Sequence, residues 1–320
     1  MTAVRGCAWL LAFAVALPAA AFDLQGHRGA RGLAPENTLA AFRRTLVLGV
    51  TTIETDVVIT RDGIPVIAHD PYVSPDLARG PDGFFPADKD TLIRSLMMAE
   101  LKRYDIGRLN AGGSYARQWP EQKPADGERY PTLAELLQLI KASGKPVRLN
   151  LETKLNPDRP DDTPPPDEFA RLVIDVLKRE DFVARTTLQS FDWRTLVEAR
   201  KLAPGIATSC LTIISRNSDN VTGGSGQPSR WTAGFELAKY DNSVPRLVHA
   251  AGCGTWAMLF SNLTPGDIAQ ARALGLAVIP WTVNDPLEMA RLIDLKVDGI
   301  ITDYPDRLRK VMAAKGIPLP

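Results

Sequence analysis

Histidine and cysteine are scarce in these 320 residues, three of each, and the formal charge sums to only +1. A near-neutral balance supplies no long-range field to draw in nucleic acid or an acidic membrane. The chain also lacks the basic patch or stripe of a nonspecific nucleic-acid binder. Neither a G-x-G-x-x-G fingerprint nor a Walker-type loop occurs, so the common nucleotide-binding readings have no support. After the first 21 residues no apolar run approaches the ~20 residues that a bilayer-spanning helix needs. What remains is 45% hydrophobic and 23% charged, a globular composition with enough length for a sizeable core.

The first 21 residues read MTAVRGCAWLLAFAVALPAAA. One arginine precedes a short apolar run, and three alanines close the segment, the pattern of a cleaved secretory signal. Cleavage after Ala21 is expected, with secretion to follow, into the periplasm if the host is a Gram-negative bacterium. No stable membrane insertion is expected after cleavage. Residues 22–320 then form one domain.

Eight short apolar or β-branched runs punctuate that domain: Leu24–His27, Thr51–Asp56, Val147–Glu152, Thr186–Ser190, Ile206–Leu211, Thr255–Phe260, Leu276–Trp281 and Val297–Thr302. They read as buried parallel strands. Helical patterns with start signals lie between them. Thr132 and Glu135 form a capping box, Asp285-Pro286 combines an N-cap with a first-turn proline, and Asp192 and Thr264 stand at cap positions. Alternating strands and helices over this length predict an α/β fold, a (β/α)8 TIM barrel, in preference to a doubly wound open sheet. Residues 57–131 exceed a loop and are expected to form an inserted hairpin and subdomain after the second strand. Residues 212–243 make a second long connection. Both follow strand C-termini, the face where barrels build their sites.

The barrel bears on the cysteines. Cys7 departs with the signal. Cys210 falls near the top of the fifth strand and Cys253 just below the bottom of the sixth. At ~3.3 Å per residue these sit more than about 7 Å apart, so no disulfide is expected.

Polar residues gather at the strand ends. His27 and Arg28 end the first strand, Glu54 and Asp56 the second, Glu152 and Lys154 the third, Gln189 the fourth and Trp281 the seventh. A spacing of two puts Glu54 and Asp56 on one face of a strand, and Glu152 and Lys154 likewise. Crowded carboxylates repel unless a positive charge sits among them, and three carboxylates without a thiolate suit a hard divalent cation, Ca²⁺ or Mg²⁺. Asp62-Gly63 between β-rich segments reads as a two-residue hairpin turn. Paired positions then sum to 125, which sets His69 opposite Asp56 and brings a second histidine to the carboxylates. Two histidines, an Arg/Lys pair and a metal suggest phosphoryl chemistry, with one histidine deprotonating a nucleophile and the other protonating the leaving alkoxide.

The blocks HRGARGLAPENTLAAF, IETDVVITRDGIPVIAHD, LNLETK, WTVN and VDGIITDYPD occur in order. Together they resemble the signature of the glycerophosphodiester phosphodiesterase family, from His27 to about Leu308. The resemblance implies a (β/α)8 barrel that hydrolyses small-molecule glycerophosphodiesters to glycerol 3-phosphate and an alcohol. It implies metal ligation by Glu54, Asp56 and Glu152, and acid/base roles for His27 and His69. It implies phosphate binding by Arg28 and Lys154, with Trp281 on the glycerol side. Gln189, at the end of the fourth strand, is expected to contact substrate as well. Glu36 reads as an organising partner, and Asn37 or Thr38 as the cap of the first helix. Thr153 departs from the apolar residue common in the family. Two rivals are a phospholipase D-like or lysophospholipase D-like enzyme of the same barrel type and a non-catalytic binding protein. The first needs an apolar rim, for which Phe84-Phe85, Leu96-Met97-Met98 and Trp119 are the candidates. The second is disfavoured because no histidine or metal acid is missing.

Overall fold

In the computed structural model, which describes residues 21–223 and 227–320, eight parallel strands run side by side. They are β1 Asp23–Gly26, β2 Thr52–Ile59, β4 Arg148–Thr153, β5 Thr186–Ser190, β6 Ala207–Thr212, β7 Thr255–Met258, β8 Ala277–Val278 and β9 Gly299–Thr302. A short ninth strand, β3 (Pro65–Ile67), runs antiparallel to β2. The sheet order is β8-β7-β6-β5-β4-β2-β1-β9. The Asp298 and Ile301 amides donate to the Val278 and Pro280 carbonyls at 3.0 and 3.1 Å, so the two sheet ends meet and the barrel is nearly closed. The architecture is a TIM barrel. The signal-sequence reading falls, but for Ala21, outside the described residues.

The expected strands all appear, with β8 shorter than its apolar run. Pro280 has no N–H to give a ladder. Ile279 and Trp281 on either side still donate to Trp256 and Met258, at 3.0 and 2.9 Å. Helices pack outside on apolar faces. Thr38 caps α1 (Leu39–Leu48) by accepting from the Ala41 amide. Thr132 and Glu135 make the reciprocal box at α3 (Leu133–Ala142). Asp192 caps α5 (Trp193–Leu202), and Asp285 accepts from both Leu287 and Glu288. Residues 57–131 fold around a hydrophobic cluster of their own, including Val58, Val66, Val73, Ile93, Leu101 and Tyr130.

The hairpin register differs from the sequence expectation by one residue. Val57 pairs with Ile67 and Ile59 with Pro65, so positions sum to 124. The loop is Arg61-Asp62-Gly63, with Gly63 at φ +73°, a three-residue turn closed by a left-handed glycine. Thr60 fixes it: its hydroxyl donates to Asp62 Oδ1 at 2.6 Å and accepts from the Ile64 amide at 3.1 Å. Ala68, not His69, therefore faces Asp56, its amide 3.2 Å from the Asp56 carbonyl. His69 reaches the barrel mouth because β3 ends at Ile67 and the chain leaves the ladder there.

The cysteine expectation is also corrected: Cys210 and Cys253 form a disulfide, with Cα atoms 5.8 Å apart. The distance argument extended β7 straight down to Cys253. Instead Cys253 arrives from the helix layer, its amide donating to Val248 in the last turn of α6 (Val244–Ala250). Cys210 points outward to meet it, since its neighbours Ser209 and Leu211 face the barrel interior. The bond closes a separation of 43 residues. Loop-closure entropy on that scale is worth about 2–4 kcal/mol. Replacing both cysteines by serine should lower the unfolding free energy in urea by that amount, and an unchanged midpoint would contradict it.

Candidate active site

The site is built on the inward faces of β2 and β4. Their register sets Asp56 beside Glu152 and Glu54 beside Asn150. Ligand oxygens of Glu54, Asp56 and Glu152 all lie within 4.8 Å of one another, and all three residues are buried. Burial disfavours the charged form and like neighbours add to it. Glu54 is thus pushed well above the ordinary carboxylate range by burial and by Asp56 and Glu152. Glu152 is pushed up to about 7 by burial, with Lys154 pulling against it. Asp56 goes the other way: burial would raise it, but Arg28, His69, Lys154 and the Asn37 bond outweigh that and hold it ionised.

Arg28 and Lys154 lie between the acids. Lys154 Nζ donates to Glu152 Oε1 at 2.6 Å and is 3.7 Å from Asp56 Oδ1. Arg28 donates to Glu36 Oε1 at 2.6 Å, which bears out Glu36 as an organising partner. Its backbone amide donates to Glu54 Oε2 at 3.0 Å. That contact needs the tight turn at the end of β1, where Arg28 takes φ +50°. Gly26 is required there, since a Cβ would come within 2.2 Å of the Gly29 carbonyl oxygen. One oxygen, Asp56 Oδ1, is buried with no hydrogen-bond partner. An orphaned carboxylate oxygen among three acids fits a hard cation, and oxygen donors suit Mg²⁺ and Ca²⁺ alike.

Each histidine is anchored through Nδ1 by a carboxylate. His27 Nδ1 is 2.6 Å from Asp303 Oδ1, and His69 Nδ1 is 2.8 Å from Asp70 Oδ1. His27 Nε2 turns toward the acids, 3.9 Å from Glu54 Oε2. Burial drives the His27 pKa down to about 4, with Asp303 opposing and Arg31 and Arg28 assisting. Burial, Arg28 and Lys154 lower His69, against Asp56 and Asp70.

Eight of the nine residues selected from sequence line one cavity of about 230 Å³; the ninth, Asp56, is fully buried. A larger cleft of about 540 Å³ adjoins it and shares His69, Glu152, Lys154 and Phe191. Trp281 forms a wall, edge-on to Phe191 with ring centroids 5.4 Å apart. Gln189 serves another residue: its amide donates to Glu54 Oε1 at 2.7 Å. Thr153 spends its hydroxyl on Thr195 of α5, 2.7 Å away, behind the site.

Asp303, Asp70, Asn37 and Arg31 were not singled out as site residues. Asn37 donates to Asp56 Oδ2 at 3.0 Å, which leaves the capping of α1 to Thr38. The signal for Asp303 was present in VDGIITDYPD, because the strand that closes the barrel delivers its end beside His27. The His27 amide donates to the carbonyl of Thr302, the residue before Asp303, at 2.8 Å.

A model of the glycerophosphoryl diester phosphodiesterase family matches residues 27–307. The chain belongs to this family. It is 28% identical over 294 residues to a glycerophosphodiester phosphodiesterase of Caldanaerobacter subterraneus subsp. tengcongensis, covering 91% of this chain and 97% of that one. A crystal structure from Silicibacter pomeroyi, provisionally named a glycerophosphoryl diester phosphodiesterase, superposes with a TM-score of 0.81 at 33% identity, covering 94% of this chain and 96% of the other. An Oleispira antarctica phosphodiesterase solved with the product sn-glycerol-3-phosphate superposes at 0.65 with 25% identity, over 91% and 96% of the two chains.

In this phosphodiesterase the insertion clamps the β1–α1 loop. Arg31 stacks on Trp119 at 4.3 Å, bonds the Tyr115 hydroxyl at 3.2 Å and donates to Asp303 at 2.8 Å. Gln122 donates to the Arg31 carbonyl at 2.8 Å. The insertion thus bears on His27 through Arg31 and Asp303.

The depressed His27 pKa has a stability consequence. Between about 4 and 6.5 the unfolded chain binds a proton at His27 that the folded one refuses. This contribution is therefore intact above pH 6.5 and lost as pH falls toward 4, by up to ~3 kcal/mol. Unfolding in chelator at pH 7 and pH 4.5 should show His27→Asn losing less stability on acidification than the parent. Equal losses would contradict the assignment.

Proposed function

We propose that this enzyme hydrolyses glycerophosphodiesters to glycerol 3-phosphate and an alcohol, with His27 and His69 as an acid/base pair beside a divalent-cation centre. The observation that carries the reading is the convergence of Glu54, Asp56 and Glu152 with two histidines, each pinned at Nδ1 by its own carboxylate. Glu54, Asp56 and Glu152 would hold the cation. When bound, Mg²⁺ or Ca²⁺ neutralises the acids and polarises a phosphoryl oxygen. The product found in the Oleispira relative supports the substrate class.

Arg28 and Lys154 engage the phosphate. His27 is neutral at physiological pH, and its Asp303 bond leaves Nε2 free to accept a proton from the attacking oxygen. His69 lines both the inner cavity and the larger cleft, where the alcohol departs. Its charged form is opposed by burial, Arg28 and Lys154. Bound phosphate offsets both cations, which raises His69 toward the protonated form that the leaving alkoxide needs. Trp281 flanks the glycerol side.

The lipid-directed rival finds little support. Of the residues it would need, Trp119 and Met98 are buried, Phe85 and Leu96 are half-buried, and only Phe84 and Met97 are exposed. A soluble diester is the better substrate. The leader sequence and the disulfide support export to an oxidising compartment, with a mature chain starting at Phe22. In a Gram-negative host that is the periplasm. Mass spectrometry of the exported protein checks this, and an intact leader would refute it.

Glycerophosphocholine should be cleaved and a dinucleotide should not, since the described residues of the site serve the phosphate and glycerol sides. Chelation should abolish turnover, and Mg²⁺ or Ca²⁺ should restore it. His27→Ala and His69→Ala should each cut turnover ~10²–10⁴-fold. The double variant should lose far less than the product of the two. Near-normal turnover by His69→Ala on a diester with a poor alkoxide leaving group would overturn the acid role.

A further inference from the structure

Below the acids, the barrel interior departs from its usual filling. Barrel cores are dominated by bulky apolar side chains. Here Gln25, Asn150, Gln189 and Ser209, all at most 3% exposed, face inward from β1, β4, β5 and β6. Burying four polar side chains is costly unless each finds partners. Three of them form a single hydrogen-bonded line between two carboxylates. At the base, Gln25 Nε2 donates to Asp23 Oδ2 at 2.9 Å. At the top, Gln189 Nε2 donates to Glu54 Oε1 at 2.7 Å. An ionised carboxylate only accepts, as Glu54 would with a cation bound, so both glutamines then turn their NH₂ groups outward along the line and their carbonyl oxygens inward. Both oxygens meet the same donor. Asn150 Nδ2 gives to Gln25 Oε1 at 2.8 Å and to Gln189 Oε1 at 3.0 Å. Asn150 is the one member whose two protons satisfy both glutamines, so the direction of the whole line turns on it.

We propose that Asn150 is a positioning residue for the cation centre: by locking the Gln189 amide it fixes the orientation of Glu54 from below. This rests on the reading of Glu54 as a cation ligand given above. Glu54 is held at its other oxygen by the Arg28 amide. With both oxygens bonded, its carboxylate plane is set before a cation arrives. Asn150 Oδ1 and Ser209 Oγ are buried without partners, and both residues line a chamber of about 170 Å³ at the barrel base. Several water molecules fit that volume, and one bridging these two atoms would complete the Asn150 amide.

The test is cation binding measured directly, by Mn²⁺ titration of the full-length mature protein followed by electron paramagnetic resonance. Asn150→Leu removes both donors while filling the space. Partners that orient metal ligands typically account for 10–100-fold in affinity. Asn150→Leu should therefore weaken Mn²⁺ binding by at least about tenfold; it also strands two buried glutamine oxygens, so its urea midpoint in chelator should fall, and binding is compared under conditions where circular dichroism shows the parent's fold. Asn150→Ser is too short to reach either glutamine, gives the same expectation, and serves if the leucine variant fails to fold. A folded variant that binds Mn²⁺ with the parent's affinity overturns the proposal and leaves the centre itself standing. A parent protein that binds no Mn²⁺ overturns the reading of the centre instead.

Discussion

Three carboxylates buried within 4.8 Å of one another repel, and the rest of the molecule is arranged around that repulsion. Two cations, Arg28 and Lys154, stand among three acids, so the group carries an excess of negative charge when all are ionised. The structure divides the burden unequally. Asp56, 3.4 Å from the Arg28 guanidinium and bonded by Asn37, stays charged, while Glu54 and Glu152 are driven upward. A divalent cation removes the conflict. Without one, the site cannot keep three charges at once in a region of low dielectric.

The fold supplies the geometry this demands. Adjacent parallel strands with Asp56 in register with Glu152 bring the acids together without a flexible loop. Closure of the barrel by β9 brings Asp303 to His27, and the hairpin carries His69 to the same cavity. The insertion then braces the β1–α1 loop through Tyr115 and Trp119. The three acids come from rigid strands, and the two histidines, just past strand ends, are each tied down by a carboxylate, an arrangement that would limit reorganisation during the proposed reaction.

Much of this was legible in the sequence, because parallel strands announce themselves as short apolar runs and their functional residues stand at the ends. The period of two put Glu54 with Asp56, and strand order put Glu152 beside them. Features that depend on how separate segments meet were less legible. The hairpin slipped by one residue because the Thr60 hydroxyl closes a three-residue loop that the Asp-Gly pair alone does not reveal. The disulfide was missed because Cys253 lies in the helix layer, off the line of its strand. Gln189 read as a substrate contact because its commitment to Glu54 crosses the barrel interior. Asp303 carried no local signal beyond its place after the last strand.

The central claim is that the acids exist to hold a cation, and its location can be seen directly. Crystals grown with Mn²⁺ should give one strong anomalous difference peak at bonding distance from oxygens of Glu54, Asp56 and Glu152. A peak only elsewhere, or none there at saturating Mn²⁺, would contradict the account.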